Sequence, residues 1–139
     1  LVTNLAGDRA LAEKAVAAFL RASIMVVPSA RQNTFAAYNP PSLALAVVRQ
    51  GGMAWSLVNA FETPVRPSRE SGLVPASLQA LDAYWGRLCD AYGTAGILAA
   101  PALVLDADIE LPHLTQRVPN LEQFISTSMA AMRAGEAPA

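Results

Sequence analysis

The chain has 139 residues, 53% apolar and 15% charged, with a net charge of −1 and a pI near 5.8. That is enough for one domain with its own core, and too little positive charge for a stand-alone nucleic-acid binder, which carries a basic excess. The single cysteine, Cys89, excludes an internal disulfide and a multi-cysteine zinc site, and no apolar run reaches the roughly 18 residues of a membrane span. A cytoplasmic protein is expected, with no cofactor and no membrane contact. The first residue is Leu1, so a single domain over 1–139 is read as the C-terminal fragment of a longer protein, with 136–139 as a disordered tail.

Leu1 to Leu5 reads as the stub of a strand. A helix is expected from Asp8, the N-cap, to Val26, with an apolar stripe at Leu11, Ala15, Phe19 and Ala22 widened by Leu20, Ile24 and Val27. Pro28 stops it, because proline restricts the residue before it and removes a donor. A polar loop follows in which Arg31, Gln32 and Asn33 stand side by side, with Ser29 just before them. A guanidinium fork beside two amides suits phosphate oxygens and base or ribose edges. An ordinary solvated connection is the plainer reading of such a loop.

Thr34 to Tyr38 can extend as a short strand, ended by Pro40 and Pro41. Leu43 to Arg49 is a near-continuous apolar run, the pattern of a strand covered on both faces. Gly51 and Gly52 give a turn, and the alternation from Met53 to Phe61 predicts the second arm of a hairpin, a helix over Ala54 to Phe61 being the alternative. Glu62 to Val74 is rich in breakers and carries Arg66 and Arg69, which either face solvent or meet RNA or a neighbouring subunit.

A second helix starts with Pro75 at its first position, has Leu78, Leu81, Trp85, Leu88 and Tyr92 as its core stripe, and closes at Gly93. Cys89 reads as a small buried group rather than a nucleophile. Ile97 to Leu105 is a strand that Pro101 bends or confines to an edge. Asp106, Asp108 and Glu110 form an acidic cluster, either a solvated turn or a magnesium or acid–base site. His113 is the only histidine, so no triad can be assembled around it. A last helix starts at Asn120, with Gln123 as its capping partner and Leu121, Ile125, Ser128 and Met132 as its stripe, and ends at Gly135. The pattern is α+β: a small, mostly antiparallel sheet with helices packed on one side.

Three ordered blocks carry a family resemblance. Val27-Pro28-Ser29-Ala30-Arg31-Gln32-Asn33-Thr34-Phe35-Ala36-Ala37-Tyr38-Asn39-Pro40, Ser56-Leu57-Val58-Asn59-Ala60-Phe61-Glu62-Thr63-Pro64-Val65 and Ser77-Leu78-Gln79-Ala80-Leu81-Asp82-Ala83-Tyr84-Trp85 are similar to segments of CasC-type proteins. Those are the Cas-seven backbone subunits of the CRISPR type I-E Cascade complex. Pro119-Asn120-Leu121-Glu122-Gln123 matches more weakly. The resemblance implies part of a modified RNA-recognition-motif, ferredoxin-like palm of the RAMP superfamily, although the chain lacks the aromatic signature of ordinary RNA-recognition motifs.

The same resemblance implies a function: that of a non-enzymatic, crRNA-binding subunit that polymerises along the guide with other copies of itself and other Cascade subunits. Target DNA is met through the crRNA, in antiviral defence. Ser29, Arg31, Gln32 and Asn33 are placed at the RNA, with Arg66 and Arg69 as further contacts; no residue is assigned to catalysis or metal. Two alternatives stand beside it: a metal-dependent RNA endonuclease of the same superfamily using Asp106 or Asp108, and a purely structural subunit-interaction module.

Overall fold

The computed structural model describes residues 2–26, 39–67 and 72–135. Three helices, α1 (Arg9–Met25), α2 (Leu73–Tyr92) and α3 (Leu121–Gly135), pack with five short strands: β1 (Leu43–Leu45), β2 (Val48–Arg49), β3 (Ile97–Ala99), β4 (Ala102–Val104) and β5 (Arg117–Val118). The class is α+β. The strands make a three-stranded sheet in the order β1-β4-β5 and a two-stranded sheet β2-β3. Leu43 pairs with Val104 and Leu45 with Ala102 in antiparallel register, while Ala102 lies beside Arg117 in parallel register. Val48 opposite Ala99 and Arg49 opposite Ile97 complete the antiparallel pairings, with an irregularity between Val48 and Arg49.

Pro101 explains why one apolar run gives two strands. It lacks the ladder donor, so β3 and β4 are separated at it. The break is closed by Ala46 N–H donating to the Pro101 carbonyl at 3.2 Å and Ala102 N–H donating to the Gln116 carbonyl at 2.9 Å. The partner run divides at the same level, with β1 before Ala46-Val47 and β2 after it.

Alternation along β1 and β4 gives the sheet two apolar faces. Leu43, Leu45, Val47, Ala102 and Val104 pack with Leu78 and Trp85 of α2 and with Ile109, Leu111 and Leu114 of the connection to β5. Ala44, Ala46, Leu103 and Val118 pack instead with Phe124, Ile125 and Met129 of α3 and with Val16, Leu20 and Ile24 of α1. Helices therefore cover both faces, not one as expected. The reason lies in the continuous apolar run at 43–49, which leaves no polar side for water, so each face needs a helix.

The caps behave as read. Asp8 accepts from Leu11 N–H at 2.9 Å, Asn120 accepts from Gln123 N–H at 2.9 Å, and Gly93 closes α2 at a φ of 73°. α2 begins two residues earlier than predicted, at Leu73, so Pro75 sits inside the first turn, where its missing N–H costs nothing.

Other expectations are corrected. Leu1–Leu5 is no strand stub: Thr3–Leu5 forms a 3-10 turn ended by Ala6 and Gly7 at positive φ. Met53 to Phe61 does not form the second arm of a hairpin. β2 takes β3 as its partner, and the predicted arm becomes a loop followed by a 3-10 helix over Val58–Phe61, close to the helical alternative. Trp55 and Leu57 are drawn onto Trp85 and the apolar cluster beneath α2, while Met53 stays 85% exposed. On α1 the buried face runs through Ala12, Val16, Leu20 and Ile24, leaving Leu11 and Phe19 exposed.

Candidate nucleic-acid interface

Ser29, Arg31, Gln32, Asn33 and Arg69 lie outside the described residues, as does the strand expected over Thr34–Tyr38. What the fold describes is the loop's two anchors. α1 is capped by Val26, whose N–H donates to the Ala22 carbonyl at 2.8 Å, and the described residues continue from Asn39 ahead of β1. The start of β1 is fixed beside the end of β4, because Leu105 N–H donates to the Ser42 carbonyl at 2.9 Å. Residues 27–38 thus join the C-terminal end of α1 to β1, which stands at one end of the order β1-β4-β5 among the described strands. Arg66 is exposed on the connection before α2.

Several other arginines are committed to internal partners. Arg21 holds Glu122 with both carboxylate oxygens at 2.7 Å, and Arg133 holds Glu13 at 2.9 Å, so each pair ties α1 to α3. Arg117 donates to the carbonyls of Ala107, at 3.0 Å, and Ile109, pinning the connection from β4 to β5. That connection holds the acidic cluster. Asp106 accepts from Asp108 N–H at 3.1 Å in a local turn, and Asp106, Asp108 and Glu110 are exposed. Among the described residues no group of three or more His, Cys, Asp or Glu is placed to hold a metal ion.

Two features escape sequence reasoning. The first is Asp82, 2% exposed in the middle of the α2 stripe, accepting from the backbone N–H groups of His113 at 3.0 Å and Leu114 at 2.8 Å. A β-carbon on Gly86 would fall 2.6 Å from the His113 ring, so only glycine lets that ring rest on α2. An acid four residues after Leu78 and three before Trp85, inside an apolar stripe, is the available signal.

The second is a cation–aromatic cluster. The Arg49 guanidinium carbon lies 4.4 Å from the centre of the Trp55 ring, and Trp55 meets Trp85 and Tyr92 with centroids 5.9 and 6.0 Å away. Arg49 Nη1 donates to the Met53 carbonyl at 2.5 Å, and its Nε is buried without a hydrogen-bond partner. Arg49, Trp55 and Trp85, with Leu45, Val47, Ala54 and Leu57, line a slot of about 240 Å³. Tyr92, expected in the core stripe, is the last residue of α2 and is 74% exposed. No spacing in the sequence brings Arg49, Trp55 and Tyr92 together, since their contact depends on the loop after β2 folding back onto α2.

The fold is shared with solved chains of CRISPR RNA-guided surveillance complexes. A chain of a CRISPR RNA-guided surveillance complex superposes with a TM-score of 0.83 at 32% identity, over 94% of this chain and 48% of that one. A chain of a pre-nicking CRISPR RNA-guided surveillance complex superposes with a TM-score of 0.80 at 31% identity, over 94% of this chain and 34% of that one. This chain thus spans about half and about a third of those two. The profile of the CT1975-like protein family matches residues 1–127, and the chain belongs to that family. The resemblance to Cas-seven subunits is borne out. Comparison with curated proteins gives no match. Among the described residues no helix is long and apolar enough to cross a membrane.

Proposed function

We propose that this chain is the C-terminal part of a non-catalytic, crRNA-binding backbone subunit of a type I-E Cascade-like complex, polymerising along the guide with its own copies. Target DNA is reached by pairing with the crRNA. The observation that carries this reading is the 94% coverage, at 32% identity, onto a chain of a CRISPR RNA-guided surveillance complex. The charge distribution supports a small grip. Arg21, Arg117 and Arg133 are spent on partners within the fold. Among the remaining cations, this reading takes Arg31, Arg69 and the exposed Arg66 as the candidate phosphate contacts, with Ser29, Gln32 and Asn33 positioning ribose or base edges.

A crosslinking map of the intact parent complex tests it. Crosslinks to peptide 29–33, weakened at least about tenfold in Arg31→Glu by loss and reversal of one phosphate contact, are expected. A map without crRNA contact at 29–33 overturns the assignment and favours the subunit-interaction module, which the bare apolar face of α1 also suits. Cleavage of labelled crRNA in magnesium but not in EDTA, abolished by Asp106→Ala, would replace both with the endonuclease.

A further inference from the structure

We infer that residues 43–47 offer a strand-docking edge whose occupant is an extended, apolar segment of the same parent subunit, lying outside these 139 residues. The inference rests on the reading of the chain as part of a longer subunit, and adds where the remainder of that subunit joins it.

The edge follows from the alternation of hydrogen bonds. Leu105 N–H donates to the Ser42 carbonyl at 2.9 Å and Ala46 N–H to the Pro101 carbonyl at 3.2 Å, in the register that sets Ala44 opposite Leu103. In an antiparallel pair alternate residues turn their N–H and C=O groups to the partner, and those between turn them away. Ser42, Ala44 and Ala46 therefore face β4, while Leu43, Leu45 and Val47 present their backbone groups on the opposite side. No described strand lies there, because β1 ends the order β1-β4-β5 and β2 has β3 as its one neighbour. The faces of the run are packed, against α2 on one side and against α1 and α3 on the other, so a partner reaches these groups only along the edge. Yet none of residues 43–49 is buried.

Native edges are blunted by lysine, proline or inward charge, and residues 43–48 read Leu-Ala-Leu-Ala-Val-Val with none of these. A row of outward N–H and C=O groups is matched by another extended backbone, the geometry of strand addition. A helix does not match it, since its own groups are bonded internally. About five residues cover the edge, an ordinary strand length. The parent subunit itself is the nearest source. The solved chain that superposes with a TM-score of 0.83 is covered over 48% of its length, so about as much polypeptide again lies outside the match. Tethering holds such a segment at an effective concentration in the millimolar range, ahead of a strand from a second copy.

Residue-resolved hydrogen exchange of the 139-residue chain and of the complete parent subunit tests this. In the 139-residue chain the amides of Leu43 and Leu45 are expected to exchange at least about a hundredfold faster than those of Ala44 and Ala46, because a solvated amide needs no opening event. In the parent that gap closes, independently of protein concentration. Leu45→Pro removes an outward donor, whereas Leu45→Ala shortens the side chain alone. The difference in melting temperature between these variants is expected to be about 2–4 °C wider in the parent, the worth of one hydrogen bond.

A gap that persists in the parent, or an equal proline-to-alanine difference in the two proteins, overturns the proposal. Slow exchange of Leu43 and Leu45 already in the 139-residue chain overturns it as well, by placing the partner within that chain. Protection that rises with protein concentration, or arises only on assembly, overturns it in favour of a second copy or another subunit. Neither readout involves RNA. Failure here with crosslinks at 29–33 intact removes the edge and leaves the loop grip, and protection without those crosslinks does the reverse.

Discussion

Asp82 shows how one buried charge organises a long connection. It takes two backbone N–H groups from the segment that places Leu114, 1% exposed, in the core. Asp82→Ala strands both donors and is expected to cost about 2–4 kcal/mol, whereas Asp82→Asn keeps an acceptor and should cost less than half of that. Urea unfolding of the two variants checks the order. Equal losses would mean that the shape of the side chain matters more than its oxygens. Cys89 makes the companion case. Burial, and then the charge of Asp90, raise its pKa above the ordinary 9.0. With the folded pKa above the unfolded one, the stability this thiol contributes is whole below about pH 9 and is lost as pH rises through the folded value. The unfolding free energy of the parent relative to Cys89→Ala should therefore be flat from pH 6 to 8 and fall in alkali. A flat difference through pH 11 would show the thiol to be solvated.

The elements divide by how local their signals are. Caps and breakers are legible because they act within one turn: Asp8, Asn120, Gly93 and Pro101 each do what their chemistry predicts. The alternation at 53–61 misleads because a period of two does not by itself make a strand: here Trp55 and Leu57 meet the apolar cluster from the irregular segment that leads into the 3-10 helix Val58–Phe61. α1 misleads differently, since apolar residues occur on two of its faces and periodicity cannot say which one meets the sheet. The structure chooses the face of Ala12, Val16, Leu20 and Ile24 and leaves Phe19 69% exposed. Leu20→Ala is thus expected to cost about 1–3 kcal/mol, and Phe19→Ala to stay within about 0.5 kcal/mol, as surface changes usually do. Chemical denaturation of both variants decides it; a larger loss at Phe19 would put the other face in the core. Phe19→Ser should also retard aggregation, because Leu11, Phe19, Met25 and Val26 expose apolar surface on one helix.

For the whole molecule, the α+β class is legible from the order of apolar runs, while the placing of helices on both faces is legible only in the run at 43–49. The candidate loop is legible in composition, as Arg31, Gln32 and Asn33 are adjacent in the chain. The Arg49–Trp55–Tyr92 cluster is not, because tertiary folding alone joins it. Global charge then sets what the chain can do alone. Its net charge is −1, Arg21 and Arg133 are paired within the fold, and the proposed contacts are Arg31, Arg66 and Arg69, so the proposed grip neutralises one to three phosphates at once. With one to three contacts, log K against log salt should fall with a slope of about −0.7 to −2, since each phosphate on a single strand contributes about −0.7. Filter binding of the 139-residue chain to a single-stranded RNA between 50 and 200 mM salt, conditions over which many-contact binders lose roughly 10³–10⁵ in affinity, measures this directly. A loss of only about threefold to twentyfold is expected here. A slope steeper than about −4 would require an extended basic surface, which the pairing of Arg21 and Arg133 within the fold argues against.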